Sequence, residues 1–302
     1  MKKLVNYLFI LSLVLLNGCN ERPPRRVCSY EDNRPVTIFI HGTLYPFLDV
    51  LIRAFDCPVG LTPALTQGAT FIHGRIPFIL SQADPITYPI ESAYVFGWSG
   101  RLTFEARRRA AQCLYQELKK LKGPITIVAH SHGATLVQLL AEIVKKHNDN
   151  ELRIEKFIML GCPVLSGMEE YVCSPVFKKV ISLYSLGDST QVMDPQILSQ
   201  ENRRLTSLKG QWTPLFSRRF SPCAPNVIHR RILLGRRNMT HMDFIYKPFL
   251  TRLPAIISLI EESIDHGHLN TEEQQFIINV PRDRTLDPEL LVKESINAAP
   301  AA

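Results

Sequence analysis

The sequence predicts an α/β fold with a mostly parallel central sheet flanked by helices. Short runs rich in β-branched residues alternate with segments of helical length and periodicity, which is typical of βαβ units. Hydrophobic residues make up 45% of the 302 positions and charged residues 21%, so collagen-like, coiled-coil and wholly disordered chains are excluded. Lys and Arg outnumber Asp and Glu by 35 to 28, and because this excess is small and spread along the chain, no nucleic-acid partner is expected.

The first 18 residues have the features of an export signal. Lys2 and Lys3 precede the apolar run 8–16, which is shorter than the roughly 20 residues of a membrane-spanning helix. Residues 16–19, Leu-Asn-Gly-Cys, resemble the lipobox of bacterial lipoproteins, which implies cleavage before Cys19 and lipidation of that cysteine. An ordinary cleaved signal or an uncleaved anchor is the alternative. The resemblance implies a lipid-anchored protein of the bacterial cell envelope, and Asn20 resembles a signal for the periplasmic face of the outer membrane.

The rest of the chain divides into a polar, proline-rich linker at 19–35, one predicted domain at 36–265 and a C-terminal tail at 266–302. Strands are expected at 36–40, 93–96, 125–129, 154–160, 180–184 and 227–233. Helices are expected at about 103–121, 132–146 and 247–264. Residues 43–90 are expected to be irregular, and the tail is expected to hold only a weak helical patch near 286–292.

The ends of these elements carry recognisable signals. His41-Gly42 ends the first strand, and Gly97 ends the second. Thr103 is a suitable N-cap for the first long helix, and Gly123-Pro124 stops it. Its apolar residues recur at three- and four-residue spacing, which predicts one buried face: Leu102, Ala106, Ala110, Leu114, Leu118 and Leu121.

One turn concentrates the chemistry. Ala129-His130-Ser131-His132-Gly133 lies between a predicted strand and a predicted helix and matches the nucleophile elbow G-x-S-x-G, with Ala in the first position. A serine in this turn has a strained backbone, and small residues two positions away let strand and helix approach each other. The N-terminus of the following helix favours negative charge on a reacting carbonyl. The alternative is a tight turn that happens to carry a serine.

Residues 36–264 resemble the α/β-hydrolase superfamily, and bacterial lipases and esterases in particular. The resemblance rests on this elbow, on His41-Gly42 after the first strand and on the chain order serine, acid, histidine. The resemblance implies a single α/β-hydrolase domain with cap or lid insertions, for which 44–90 and 190–226 are the candidates. It also implies an oxyanion hole formed by the backbone N–H groups of Thr43 and His132, with Leu44 as the fallback for Thr43. A second Phe-Ile-His-Gly, at 71–74, is the less favoured start of the oxyanion hole, because it lacks a clear preceding strand.

The resemblance further implies an acid after a later strand and a histidine in a loop before the last helix. Asp188 meets the first expectation, and Asp194 is the reserve candidate for the acid. The alternative for Asp188 is a turn or helix-capping role. His241 meets the second expectation, whereas its rival His229 falls inside a predicted strand. Asp188 would then orient His241, and His241 would take the proton from Ser131.

These residues predict a serine ester hydrolase of the esterase or lipase type that works through an acyl-enzyme, with no metal and no organic cofactor. The apolar content of the two insertions favours a hydrophobic or acyl-ester substrate. The alternatives are acyl transfer by the same triad and a non-catalytic envelope protein that only binds. Apart from Cys19 there are six cysteines, an even number that allows disulfides whose pairing the sequence leaves open.

Overall fold

A mostly parallel sheet flanked by helices forms the centre of the molecule. The structure is a computed structural model that describes residues 34–43, 60–67, 74–165, 168–192, 216–220, 227–265, 274–283 and 285–294. In chain order the strands are β1 (Val36–Ile40), β2 (Gly60–Pro63), β3 (Ala93–Gly97), β4 (Ile125–His130), β5 (Lys156–Leu160), β6 (Val164–Leu165), β7 (Val180–Tyr184), β8 (Phe216–Ser217), β9 (Val227–Leu234), β10 (Arg237–Asn238), β11 (Gln274–Val280) and β12 (Glu289–Glu294). The helices are α1 (Ala64–Gln67), α2 (Arg75–Ala83), α3 (Phe104–Leu118), α4 (His132–Gln138), α5 (Leu140–His147), α6 (Lys247–Leu250) and α7 (Leu253–Asp265).

The sheet has the strand order β12-β11-β9-β7-β5-β4-β1-β3-β2, with β10 paired to β9. The neighbours from β3 through β1, β4, β5, β7 and β9 to β11 are all parallel. The pairs β2–β3, β9–β10 and β11–β12 are antiparallel, and β6 and β8 form a separate short antiparallel pair. The predicted fold class is therefore confirmed.

Helices cover both faces of this sheet, which is why the central strands are apolar throughout. Because side chains alternate along a strand, Ile38 and Ile127 enter one buried cluster while Phe39 and Val128 enter the other. The first cluster also takes side chains of α3, α4 and α5, and the second takes side chains of α2, α6 and α7: Leu114, Leu136 and Leu140 on one face, and Leu80, Leu250 and Ile256 on the other.

The turns after four parallel strands lie at one edge of the sheet. Strands β1, β4, β5 and β7 are consecutive neighbours, so the residues that follow their carboxyl ends lie side by side. These residues are His41-Gly42, Ser131, Gly161 and Ser185. Strand β9 ends at the same edge and leads through β10 to the 3₁₀ helix His241–Ile245. The sheet order thus brings together segments that are far apart in the sequence.

Two predicted helices are divided in the structure. The helix expected at 132–146 consists of α4 and α5, because the N–H of Leu139 bonds to the carbonyl of Leu136, which tightens the turn between them. The helix expected at 247–264 consists of α6 and α7, and Pro254 lies at the second position of α7, where its missing N–H costs nothing. The six predicted strands agree with β1, β3, β4, β5, β7 and β9 to within about two residues.

Two sequence-based expectations are wrong. The segment 43–90 is not irregular throughout, since β2, α1 and α2 lie within it and β2 pairs with β3. The expected patch near 286–292 is not helical, since 289–292 belong to β12. Strand β11 joins β12 to the sheet beside β9, so the segment beyond 265 is more than a tail. The few apolar residues of a short polar segment fit the periodicity of a helix as well as that of a strand. Pairing with distant strands then decides which of the two forms.

None of the described helices is long and apolar enough to cross a membrane. The predicted signal peptide, Cys19 and most of the linker lie outside the described residues and stay predictions.

The added strand β11 predicts a large effect of Ile278→Ala. Ile278 is fully buried in the second cluster and lies opposite Ile232 of β9, so its truncation should lower the free energy of unfolding by about 3 kcal/mol. Ile86→Ala is the matched control, because Ile86 is 88% exposed and the same truncation there should cost less than about 0.5 kcal/mol. Urea unfolding of both variants measures the difference. Equal, small effects would contradict the placement of β11 in the folded domain.

Candidate active site

Ser131 lies in a strained turn between β4 and α4. Its φ of 53° and ψ of −130° are rare for a residue with a side chain, and it is buried. The Ser131 N–H donates to the carbonyl of Leu160 at 2.9 Å, and its own carbonyl accepts from Ala134 at 3.0 Å. The end of β5 and the first turn of α4 therefore hold the backbone of the serine in place.

The turn after β1 packs directly against this serine. A Cβ added to Gly42 would lie 2.7 Å from the Cβ of Ser131, and one added to Gly133 would lie 2.5 Å from the carbonyl oxygen of His41. Only glycine fits at either position. Thr43 follows Gly42, and its hydroxyl oxygen is buried with no hydrogen-bond partner among the described residues.

A neutral His41 fixes the peptide that precedes Thr43. The backbone N–H of Trp98 donates to His41 Nε2 at 3.3 Å, so Nδ1 carries the proton and donates to the carbonyl of Gly42 at 2.8 Å. Burial lowers the pKa of His41 to about 4, which keeps the ring neutral near pH 7. The indole N–H of Trp98 also donates to the His41 carbonyl at 2.8 Å. Because the peptide is trans, a fixed Gly42 carbonyl also fixes the direction of the Thr43 N–H.

Asp188 and His241 are hydrogen-bonded to each other. His241 Nδ1 lies 2.7 Å from Asp188 Oδ2, and the aspartate side chain is fully buried. The second carboxylate oxygen accepts from the backbone N–H of Gln191 at 3.2 Å. In this arrangement the carboxylate can hold the imidazole in one tautomer and stabilise its protonated form.

Two further residues hold this pair in place. Gly161 follows β5 with φ of +57°, and a Cβ there would lie 3.0 Å from Asp188 Oδ2 and 3.4 Å from His241 Nδ1. Ser185 Oγ accepts from the N–H of Met239 at 2.8 Å, which ties the turn after β7 to the segment before His241. Gly161 thus leaves room for the pair, and the hydrogen bond from Met239 to Ser185 holds the segment before His241 against the turn after β7.

His130 connects the histidine loop to the serine turn. Its Nε2 lies 3.1 Å from the carbonyl oxygen of His241, and because a carbonyl only accepts, His130 is the donor. The centroids of the two imidazole rings are 4.6 Å apart. Within the described chain no hydrogen bond joins the Ser131 hydroxyl to the His241 ring, and such contacts often form only when substrate is bound.

Of the other candidates, His132 lies beside Ser131, His229 lies on β9, and the rest lie outside the described residues. His132 is the first residue of α4, so its N–H is among the N-terminal donors of that helix. His229 lies on β9 with its ring 5.6 Å from that of Phe220, and burial lowers its pKa to about 4, with the charges of Arg219 and Arg230 adding to the effect. Leu44, Asp194 and most of the second Phe-Ile-His-Gly lie outside the described residues. So do 44–59 and 68–73 of the first proposed lid segment and 193–215 and 221–226 of the second.

The cysteines show no catalytic feature in the described part of the chain. Cys162 is a buried free thiol whose pKa burial raises to about 12, so it is not a thiolate at neutral pH. Cys28, Cys57 and Cys223 lie outside the described residues, so the disulfide pairing stays open.

Sequence reasoning missed the supporting roles of Gly161, Gln191 and His130. A glycine directly after a buried strand is a usable signal for Gly161, which follows the last residue of β5. No local pattern marks Gln191. The sequence does not reveal the partner of His130, because that partner lies 111 residues later in the chain.

The mostly parallel sheet, the strand–turn–helix at Ser131 and the contact of Asp188 with His241 agree with what the resemblance to α/β-hydrolases predicts. No family model matches the chain, and no curated protein matches it. Among solved structures, a fungal esterase from Rhizomucor miehei is similar at 12% identity and a TM-score of 0.39, over 80% of this chain and 77% of that one. An esterase from Pyrobaculum calidifontis is similar at 11% identity and a TM-score of 0.37, over 80% and 79%. Likenesses this distant carry no information about substrate or activity.

Gly161→Ala should separate the acid from the histidine. The new Cβ would contact both Asp188 Oδ2 and His241 Nδ1, and a displacement of about 1 Å can reduce a rate about 100-fold. Gly235→Ala is the control, because Gly235 has nearly the same φ, +58°, but its Cβ would meet the flexible side chain of Arg282. The measurement is the rate of labelling by a fluorophosphonate at equal folded fraction. Equal labelling of the two variants would contradict the clamping role of Gly161.

His130→Phe should lower kcat about three- to tenfold with little change in KM. Phenylalanine keeps a flat ring but lacks the N–H that holds the His241 carbonyl, and one such hydrogen bond contributes about 1 kcal/mol. His130→Gln retains an N–H donor and should recover most of the activity. Ester hydrolysis kinetics across pH 5 to 9 test both variants. If the glutamine variant is as impaired as the phenylalanine variant, the hydrogen bond does not matter.

Proposed function

We propose that the protein is a serine hydrolase that cleaves carboxylic esters through an acyl-enzyme. The observation that carries this proposal is the 2.7 Å contact between Asp188 and His241, with the His241 loop bonded to the residue before the strained Ser131. A nucleophile, a base and a group that orients the base thus converge on one edge of the sheet.

In the proposed reaction, Ser131 Oγ attacks the ester carbonyl and His241 Nε2 accepts the hydroxyl proton. The resulting oxyanion accepts hydrogen bonds from the backbone N–H groups of Thr43 and His132, and the fixed orientation of the Gly42–Thr43 peptide supports this role. His241 then gives its proton to the departing alcohol, which leaves the acyl group on the serine. Water then attacks the acyl carbon while His241 takes its proton. The bond from the acyl carbon to Ser131 Oγ breaks, His241 returns the proton to that oxygen, and the carboxylic acid product leaves.

We further propose that the natural substrate is a hydrophobic or acyl ester and that lipidated Cys19 anchors the protein at the periplasmic face of the outer membrane. The substrate proposal rests on the apolar side chains of the two insertions, and the anchor on the lipobox-like residues 16–19. Transfer of the acyl group to an acceptor other than water uses the same residues.

The test is labelling with a fluorophosphonate, combined with turnover of 4-nitrophenyl esters of several chain lengths. Wild-type protein should be labelled and Ser131→Ala should not, with turnover reduced at least about 1,000-fold. Ser189→Ala is the control, because Ser189 is an exposed serine next to Asp188 and its loss should change neither readout. Added alcohols that divert the acyl group to a new ester would favour acyl transfer. Folded protein with neither labelling nor turnover would refute the proposal.

A further inference from the structure

Three arginine side chains surround the turn that carries Asp188. Arg218 Nε donates to the backbone carbonyl of Asp188 at 3.1 Å. The guanidinium of Arg219 lies over the ring of Tyr184, 6.0 Å from the ring centroid. Arg231 is the register partner of Tyr184 in the β7–β9 pair, so it flanks the same residue from the neighbouring strand. Arg218, Arg219 and Arg231 are called the arginine cluster below.

The contacts of the cluster close into a ring around this turn. Arg231 Nη2 donates to Asn238 Oδ1 at 2.9 Å. Asn238 in turn packs on the turn itself, since a Cβ added to Gly187 would lie 2.8 Å from the Cβ of Asn238. Gly187 precedes Asp188, whose carbonyl holds Arg218. Arg218 is therefore held at the residue that carries the proposed catalytic acid, while Arg219 and Arg231 are held at Tyr184 and Asn238 close to the same turn.

The cluster has no negative partner in the described part of the chain. No ion pair there involves Arg218, Arg219 or Arg231, although all three are half-buried. The Nε of Arg231 is buried without a hydrogen-bond partner among the described residues. The Asp188 carboxylate is directed to His241 and to the N–H of Gln191 instead. Partly desolvated cations without a counter-charge are unfavourable, so a bound anion would relieve the cost.

We propose that the arginine cluster is a subsite for a phosphate-bearing group of the substrate. Guanidinium groups donate several hydrogen bonds in a fixed plane, and phosphate offers several acceptor oxygens and at least one negative charge. The group is either the headgroup phosphate of a lipid or a free phosphate or soluble phosphate ester. The proposed subsite rests on the proposed function in one respect, because the molecule that binds there is also the ester that Ser131 cleaves.

Binding to the full chain carrying Ser131→Ala tests the subsite without any turnover. The probes are inorganic phosphate, monomeric dihexanoylphosphatidic acid and its neutral counterpart dihexanoylglycerol. The phosphatidic acid should bind about tenfold more tightly than dihexanoylglycerol, and Arg219→Gln with Arg231→Gln should abolish that preference. Arg108→Gln with Arg109→Gln is the matched control, because it removes two exposed charges from α3 and should leave the preference unchanged.

The outcomes separate the two sources of phosphate and the two proposals. Phosphatidic acid that binds more tightly than inorganic phosphate indicates a lipid headgroup, and equal affinities indicate free phosphate or a soluble ester. If the double variant unfolds, Arg219→Gln alone should still lower the preference about threefold. Among the described residues its guanidinium lies over the Tyr184 ring, and the loss of this contact should leave the fold intact. Equal affinity for the two lipids, or equal loss in both double variants, overturns the subsite. If the wild-type chain shows arginine-dependent binding but is not labelled by a fluorophosphonate, the hydrolase proposal is overturned and the subsite proposal stands.

Discussion

The turns after β1 and β4 touch each other at Gly42 and Ser131, and the rest of the site is arranged around that contact. A side chain at Gly42 would collide with the Cβ of Ser131, and one at Gly133 would collide with the backbone of β1. Two glycines therefore let a strand end, a serine turn and a helix start occupy the same small space. This packing keeps the peptide before Thr43 beside the serine, where His41 and Trp98 fix its direction.

A buried carboxylate forms the second constraint. Asp188 is fully buried, and a carboxylate removed from water is costly unless hydrogen bonds replace its hydration. His241 and the N–H of Gln191 supply two such bonds, while Gly161 leaves the space that the pair needs. Inside a water-poor site these bonds are stronger than they would be at the surface, so the position of the histidine is determined by the acid turn.

The sequence predicted the parts of the site that local patterns control. The elbow at Ser131 is readable because strand, turn and helix follow each other within a few residues, and the strands are readable because they are apolar on both faces. The contact of His130 with the loop of His241 spans 111 residues, and the pairing of β11 with β9 is equally non-local, so neither has a sequence signature. The resemblance in chain order predicts Asp188 and His241, and the sheet order explains why two residues 53 apart meet.

The competing view, a binding protein that merely keeps the fold, has to account for the backbone of Ser131. A residue with a side chain at φ of 53° and ψ of −130° costs of the order of 1–3 kcal/mol, and the cost persists only where surrounding structure enforces it. Here the surroundings enforce it from two sides, through the Leu160 carbonyl and the contact with Gly42. A buried carboxylate–histidine pair and a fixed peptide beside the same serine add two further local costs. Binding alone requires none of these features, whereas attack by a serine hydroxyl on a carbonyl uses all of them.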